Sequence, residues 1–142
     1  MPNRYLGLLA AGVAIAVAVA ANAADPPAKD CAKIDDYRAM VDCFAADSQA
    51  ADAAVTRAYE ALLAKLGPSP QRDLLRSSQE AWLAYRTAYC SFLSSAVQGG
   101  SFQPTARNIC HADMARLRLK ELEHQLTCQE GDMSCVGSNR RP

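Results

Sequence analysis

Six cysteines, Cys31, Cys43, Cys90, Cys110, Cys128 and Cys135, are the side chains with the most chemistry to offer. They could serve as thiolate nucleophiles, as zinc ligands or as disulfides. Zinc is disfavoured because there is no C-x-x-C pair and the only histidines, His111 and His124, lie thirteen positions apart. Neither histidine has a serine or an unpaired cysteine at a spacing that suggests a nucleophile and its base. Asp35-Asp36 is not an acid–base pair, since adjacent helical residues do not face each other. Gly99-Gly100-Ser101 lacks the lysine and the preceding strand of a phosphate-binding loop. These residues point away from an enzyme, and they imply neither a cofactor nor a metal. An even number of cysteines in a short exported chain points to disulfides.

Export is read from the N-terminus. Met1-Pro-Asn-Arg4 precedes an apolar run from Tyr5 to Ala21, and Ala21-Asn22-Ala23 supplies small residues for cleavage. Residues 1–23 are therefore expected to be a signal peptide, in preference to an uncleaved anchor, and residues 24–142 a single periplasmic or secreted domain. No cysteine directly follows the apolar run, so no stable membrane anchor is expected after cleavage. That length supports one small core.

The whole chain balances 15 basic against 15 acidic side chains; without Arg4 the balance is 14 against 15, a net of −1. The charge is uneven. Asp25 to Asp52 holds seven aspartates against Lys29, Lys33 and Arg38, a local net of −4. No basic stripe exists to neutralise phosphates, which argues against nucleic acid.

The elements that must position these residues read as helices throughout. Cys31 to Asp47 suggests a short helical segment with a turn, and Asp47 or Ser48 is a candidate cap for a helix over 49–66. In that helix Val55, Tyr59, Leu62 and Leu66 recur at helical spacing. Gly67-Pro68-Ser69-Pro70 ends it and turns the chain back antiparallel. Leu75, Ser78, Trp82, Tyr85, Tyr89, Phe92 and Ala96 step by three and four and predict a buried stripe on the second helix. A glycine break at 98–104 follows, with Thr105 a candidate cap for a third helix to Thr127. That helix carries Ala115, Leu119, Leu122 and Leu126, its apolar arc widened by Met114 and Leu117; His111 and His124 are read as solvated on its charged side. The fold class is all-α, a small disulfide-stapled antiparallel helical bundle.

Six cysteines allow fifteen full pairings. Antiparallel helices joined by the glycine loop bring Cys90 level with Cys110. Cys31–Cys43 then staples the first segment and Cys128–Cys135 the terminal loop, so sequential pairing is expected.

Ser78 to Cys90, SQEAWLAYRTAYC, combines a tryptophan, two tyrosines and an arginine. Its periodicity favours buried packing over a reactive surface. Arg86 is the unusual member, suited to lie over an aromatic face or to pair with a carboxylate of the acidic segment.

This stretch resembles the LprI-type lysozyme inhibitor domains. The similarity runs through Asp52–Tyr59 (DAAVTRAY, like AD-x-x-LN-x-x-Y) and Gln79–Cys90 (QEAWLAYRTAYC, like QxxW-x-x-YR-D-x-x-C). It continues in Gly99-Gly100-Ser101 and in C-x7-R-x3-L from Cys110 through Arg118 to Leu122. Thr87 replaces a frequent aspartate, Ala115 a common threonine and Val55-Thr56 the usual Leu-Asn. The Cys128–Cys135 extension lies outside the pattern. The resemblance implies an exported helical domain that binds lysozyme, with the animal type the expected partner. Such an inhibitor must approach a cationic surface and block a cleft that carries two carboxylates. Asp35, Asp36 and Asp42, within the acidic run that also holds Asp30 and Asp47, are the candidate steering charges. The Gly99, Gly100, Ser101 and Phe102 loop is the candidate plug. The alternatives from other classes are an immunity or adaptor protein for a different secreted partner and an envelope structural protein.

Overall fold

Three helices carry the architecture: α1 (Tyr37–Leu66), α2 (Pro70–Ser94) and α3 (Gln103–Leu126). The computed structural model describes residues 30–129 and 131–136, so the expected signal peptide at 1–23 lies outside the described residues. Short 3-10 turns at Cys31–Lys33 and Ser95–Val97 lead into α1 and out of α2. Among the described residues there is no strand, and no helix is long and apolar enough to cross a membrane.

α1 is one unbroken helix of 30 residues, where the sequence suggested a turn near Asp47. No glycine or proline interrupts 37–66, and alanine, the best helix former, dominates. The cap is Asp36, whose carboxylate accepts from the Ala39 N–H at 2.8 Å. Asp47 is occupied elsewhere, held by the Arg116 guanidinium of α3 at 2.5 Å, and Ser48 is buried. Gly67 ends the helix at φ 60°, a left-handed conformation that glycine adopts without a Cβ penalty. Ser69 caps α2 by accepting from the Arg72 N–H at 3.3 Å, with Pro70 in the first turn.

The chain runs up, down and up, so α1 and α3 are parallel, and α2 is antiparallel to both. α1 and α3 form the main packed pair; α2 lies along α3 and touches α1 sparsely. Ala51, Ala54 and Ala58 face Ala112 and Ala115 in the same buried cluster, small side chains that let the two helices approach closely. Leu62, Leu66, Leu119 and Leu122 fill the lower core, each contributing about 1.5–3 kcal/mol by burial. Lys65 crosses between the helices and donates to the last carbonyls of α3, Gln125 at 3.0 Å and Leu126 at 2.9 Å, where a cation also suits the helix dipole.

The expected disulfides form: Cys31–Cys43, Cys90–Cys110 and Cys128–Cys135, with Cα–Cα distances of 5.6, 5.6 and 5.8 Å. Three other expectations are corrected. The inward stripe of α2 is Leu75, Gln79, Trp82, Arg86, Cys90 and Ser94; Tyr85, Tyr89 and Phe92 face outward at 58, 39 and 70 % exposure, as do Ser78 and Ala96. The two stripes lie about a quarter-turn apart on the helix, and the Cys90–Cys110 bond decides between them. Thr105 does not cap α3 but is buried within it; Phe102 holds the capping position with no side-chain bond. Leu117 is exposed rather than part of the apolar arc.

Candidate functional site

The acidic start of α1 and the glycine loop meet at one end of the bundle. The Tyr37 hydroxyl, next to Asp35-Asp36, donates to Ser101 Oγ at 3.2 Å. The parallel course of α1 and α3 makes this meeting necessary, since both helices begin at that end. Asp35 and Asp36 are exposed there. Asp42 is also exposed, but it lies roughly 7.5 Å further along α1 and about 140° around from Tyr37, so the structure does not bring it to the loop.

The loop is built rather than slack. Gly100 N–H donates to the Val97 carbonyl, Gln103 N–H to the Gly100 carbonyl, both at 3.1 Å, and Gly99 N–H to Gln103 Oε1 at 3.2 Å. Gly99 needs its φ of 79°, and a Cβ at Gly100 would sit 3.3 Å from the Val97 carbonyl. Gly99, Gly100 and Ser101 are exposed, whereas Phe102 is half-buried beside the start of α3. Its ring is therefore less available than the sequence suggested.

The acidic run is partly spent inside the protein. Asp30 pairs with Lys33 at 2.6 Å, Asp47 with Arg116 and Asp52 with Arg86. Among the described residues Asp35, Asp36 and Asp42 carry no ion pair and remain the outward charge of this segment.

A second constellation ties α2 to its neighbours. Arg86 donates to Asp52 of α1 and lies 4.6 Å from the Trp82 ring centroid, so both roles suggested for it are realised together. Arg118 of α3 approaches the same ring at 5.9 Å and donates to Gln79 Oε1 and Ser78 Oγ, each at 3.1 Å. Asp52, Tyr59, Gln79, Trp82 and Arg86 line one cleft of about 340 Å³ between α1 and α2. These are residues of the quoted motifs, and their common task is to lock three helices. The spacing of Gln79, Trp82, Arg86 and Cys90 by three and four was the signal for this inward face, obscured by the more apolar stripe beside it.

His111 also departs from expectation. Its Nε2 is buried and has no hydrogen-bond partner among the described residues. Its pKa is lowered below the ordinary 6.5 by burial first and then by Arg86, with Asp52 pulling the other way and Arg107 adding the smallest lowering. Elsewhere, His124 clusters with Cys128 and Cys135, but those two sulfurs are joined to each other and offer no thiolate to a metal.

Comparison with known proteins agrees with this architecture. The family model described as "Lysozyme inhibitor LprI" matches residues 28–122, two thirds of the chain, and stops before the Cys128–Cys135 loop. An uncharacterized protein of Rhizobium meliloti (strain 1021) is 26% identical over 119 residues, covering 75% of this chain and 86% of that protein. No solved structure matches. With the helical scaffold and the motif cleft in place, the chain belongs to the LprI lysozyme inhibitor family.

Proposed function

We propose that this protein is exported, periplasmic or secreted, and inhibits an animal-type lysozyme by non-covalent occlusion of its cleft. The observation that carries the reading is the Tyr37–Ser101 hydrogen bond, which sets the unpaired acids Asp35 and Asp36 beside a rigid, exposed glycine loop. Carboxylates at that end attract a cationic enzyme and raise the rate of encounter. A loop whose shape is already fixed loses little entropy when it enters a cleft. Ser101 supplies a hydroxyl for the saccharide-binding groups, and the backbone at Gly99-Gly100 is narrow enough for a close approach. Asp42 contributes to the long-range field but not to the contact.

The test is lysis of bacterial cell walls by animal-type lysozyme, titrated with the oxidised protein lacking residues 1–23, at low and moderate salt. Saturable, stoichiometric inhibition that weakens with salt is expected. Absence of inhibition by a folded, disulfide-intact sample would leave the fold standing and remove animal-type lysozyme as the target.

A further inference from the structure

We propose that His124, Cys128 and Cys135 form a zinc site that opens when the Cys128–Cys135 bridge is reduced. One ligand atom from each of the three lies within 4.8 Å of the others, where α3 ends. Two thiolates and an imidazole, with a fourth position left to water, are a donor set that zinc accepts. The ligands of one zinc stand roughly 3.5–3.8 Å apart, so the sulfurs need only a small separation once their bond is broken. A C-x-x-C criterion misses this group, whose spacings are His-x3-Cys and Cys-x6-Cys.

Hydrogen bonds hold the ligands in place independently of the bridge. Gln125 Nε2 donates to the Ser134 carbonyl at 3.0 Å, and the Val136 N–H donates to Gln125 Oε1 at 2.9 Å. These two bonds flank Cys135 and tie it to α3 at the residue after His124. Cys128 Sγ lies 3.1 Å from the His124 carbonyl, just past the last turn. Ser134 Oγ stands 3.1 Å from His124 Nε2 and donates to Asp132 Oδ1 at 2.6 Å, so a hydroxyl and a carboxylate back the imidazole.

The bridges differ in access. Cys90 and Cys110 are both buried, whereas Cys128 is half-buried and within reach of a dithiol reductant. One thiolate of the reductant attacks the Cys128 sulfur and expels Cys135; its second thiol then frees Cys128, and the reductant leaves as a disulfide. The two protons of the dithiol pass to the two cysteines. Zinc binds both as thiolates and releases those protons. The ion then replaces a covalent staple with a coordinate one, so the loop keeps its shape in either state. The site lies outside the family match and at the far end from Ser101, so it is separate from the lysozyme reading.

The test is zinc retention against a competing chromogenic chelator by the protein lacking residues 1–23, before and after anaerobic reduction with a phosphine. Alkylation and mass mapping should find Cys128 and Cys135 as thiols while Cys90–Cys110 is intact. That form should hold one zinc with a Kd below about 1 μM, and cobalt in its place should absorb as a tetrahedral thiolate complex. The oxidised protein, and Cys128→Ser/Cys135→Ser given the same phosphine treatment, should hold none at that strength. Reduced His124→Ala should bind zinc about tenfold more weakly or worse, with unchanged helical circular dichroism. Zinc held equally by the double variant or by the oxidised protein overturns the proposal, as does undiminished affinity in His124→Ala. So does a reduced wild type that binds no zinc, or opening of Cys90–Cys110 before Cys128–Cys135.

Discussion

Arg86 of α2 donates to Asp52 of α1 across an interface where the two helices otherwise barely touch. The two sides of this pair differ in exposure, 11 % for the arginine side chain and 42 % for the aspartate. Asp52→Ala leaves a buried guanidinium without its counter-charge and should cost ~2–3 kcal/mol. Arg86→Met keeps the apolar stem over Trp82 and leaves an aspartate that water can reach, so it should cost less than ~1 kcal/mol. Urea unfolding of the oxidised variants measures both. Equal losses would mean that the pair itself, and not the stranded charge, sets the energy.

His111 makes stability depend on pH. Its pKa in the folded protein lies below the ordinary 6.5, so in acid the unfolded chain binds the proton that the folded one refuses. Stability contributed at this position is complete above about pH 6.5 and is lost as pH falls through that value toward the lowered one. Unfolding free energies at pH 7.5 and 5.5 should therefore differ more in the wild type than in His111→Gln. An identical pH dependence in the variant would rule out His111 as its origin.

Much of the fold was legible because local chemistry and topology agreed. Gly67 and the two following prolines marked a turn that the structure contains, and the cysteine spacing on antiparallel helices was enough to pair Cys90 with Cys110. Where two faces of one helix competed, periodicity misled. Tyr85, Tyr89 and Phe92 are the more apolar stripe, yet Gln79 and Arg86 turn inward because partners on α1 and α3 await them. Asp47 looked like a cap because an aspartate ahead of an alanine-rich run suits a helix start. Its real partner, Arg116, is distant in sequence and could not be inferred from neighbouring residues. The loop and the acids were each visible as candidates, but only the parallel course of α1 and α3 brings Asp35, Asp36 and Ser101 to one end.

The two cysteine bridges attached to α3 should separate stability from function. Cys90 and Cys110 are buried, 20 residues apart, and replacing both with alanine should cost about 3 kcal/mol. Cys128–Cys135 closes a local loop at the far end from Ser101 and lies outside the family match. Replacing that pair with alanine should leave lysozyme inhibition unchanged. A loss of inhibition there, in a protein that still melts cooperatively, would move the contact surface to the opposite end of the bundle.

Charge at the acidic end should act on association more than on dissociation. Asp35→Lys with Asp42→Lys reverses two outward charges, while Asp36→Ser removes the third and keeps a capping oxygen for Ala39. The triple variant should bind lysozyme with an on-rate lower by about tenfold or more at low salt, converging on the wild type at high salt. Surface-immobilised lysozyme in a flow assay gives both rates. An unchanged on-rate at low salt would remove electrostatic steering from the mechanism.

Tyr37→Phe tests the junction itself. The hydroxyl donates to Ser101 Oγ at 3.2 Å from a side chain that is 47 % exposed, so water readily replaces it. The loss in stability should be small, at the lower end of the ~0.5–1.5 kcal/mol typical of a hydrogen bond. Inhibition should fall further than stability does, because the loop, although it keeps its own hydrogen bonds, is no longer held beside the acids at the start of α1, and that arrangement must be restored when the target binds. Ser101→Ala removes the same bond from the other side. If the bond is what matters, each single variant weakens inhibition by a similar factor and the double variant is no worse than either. Losses that add would mean that Tyr37 and Ser101 contact the target independently, with the acidic end and the glycine loop serving as separate footholds.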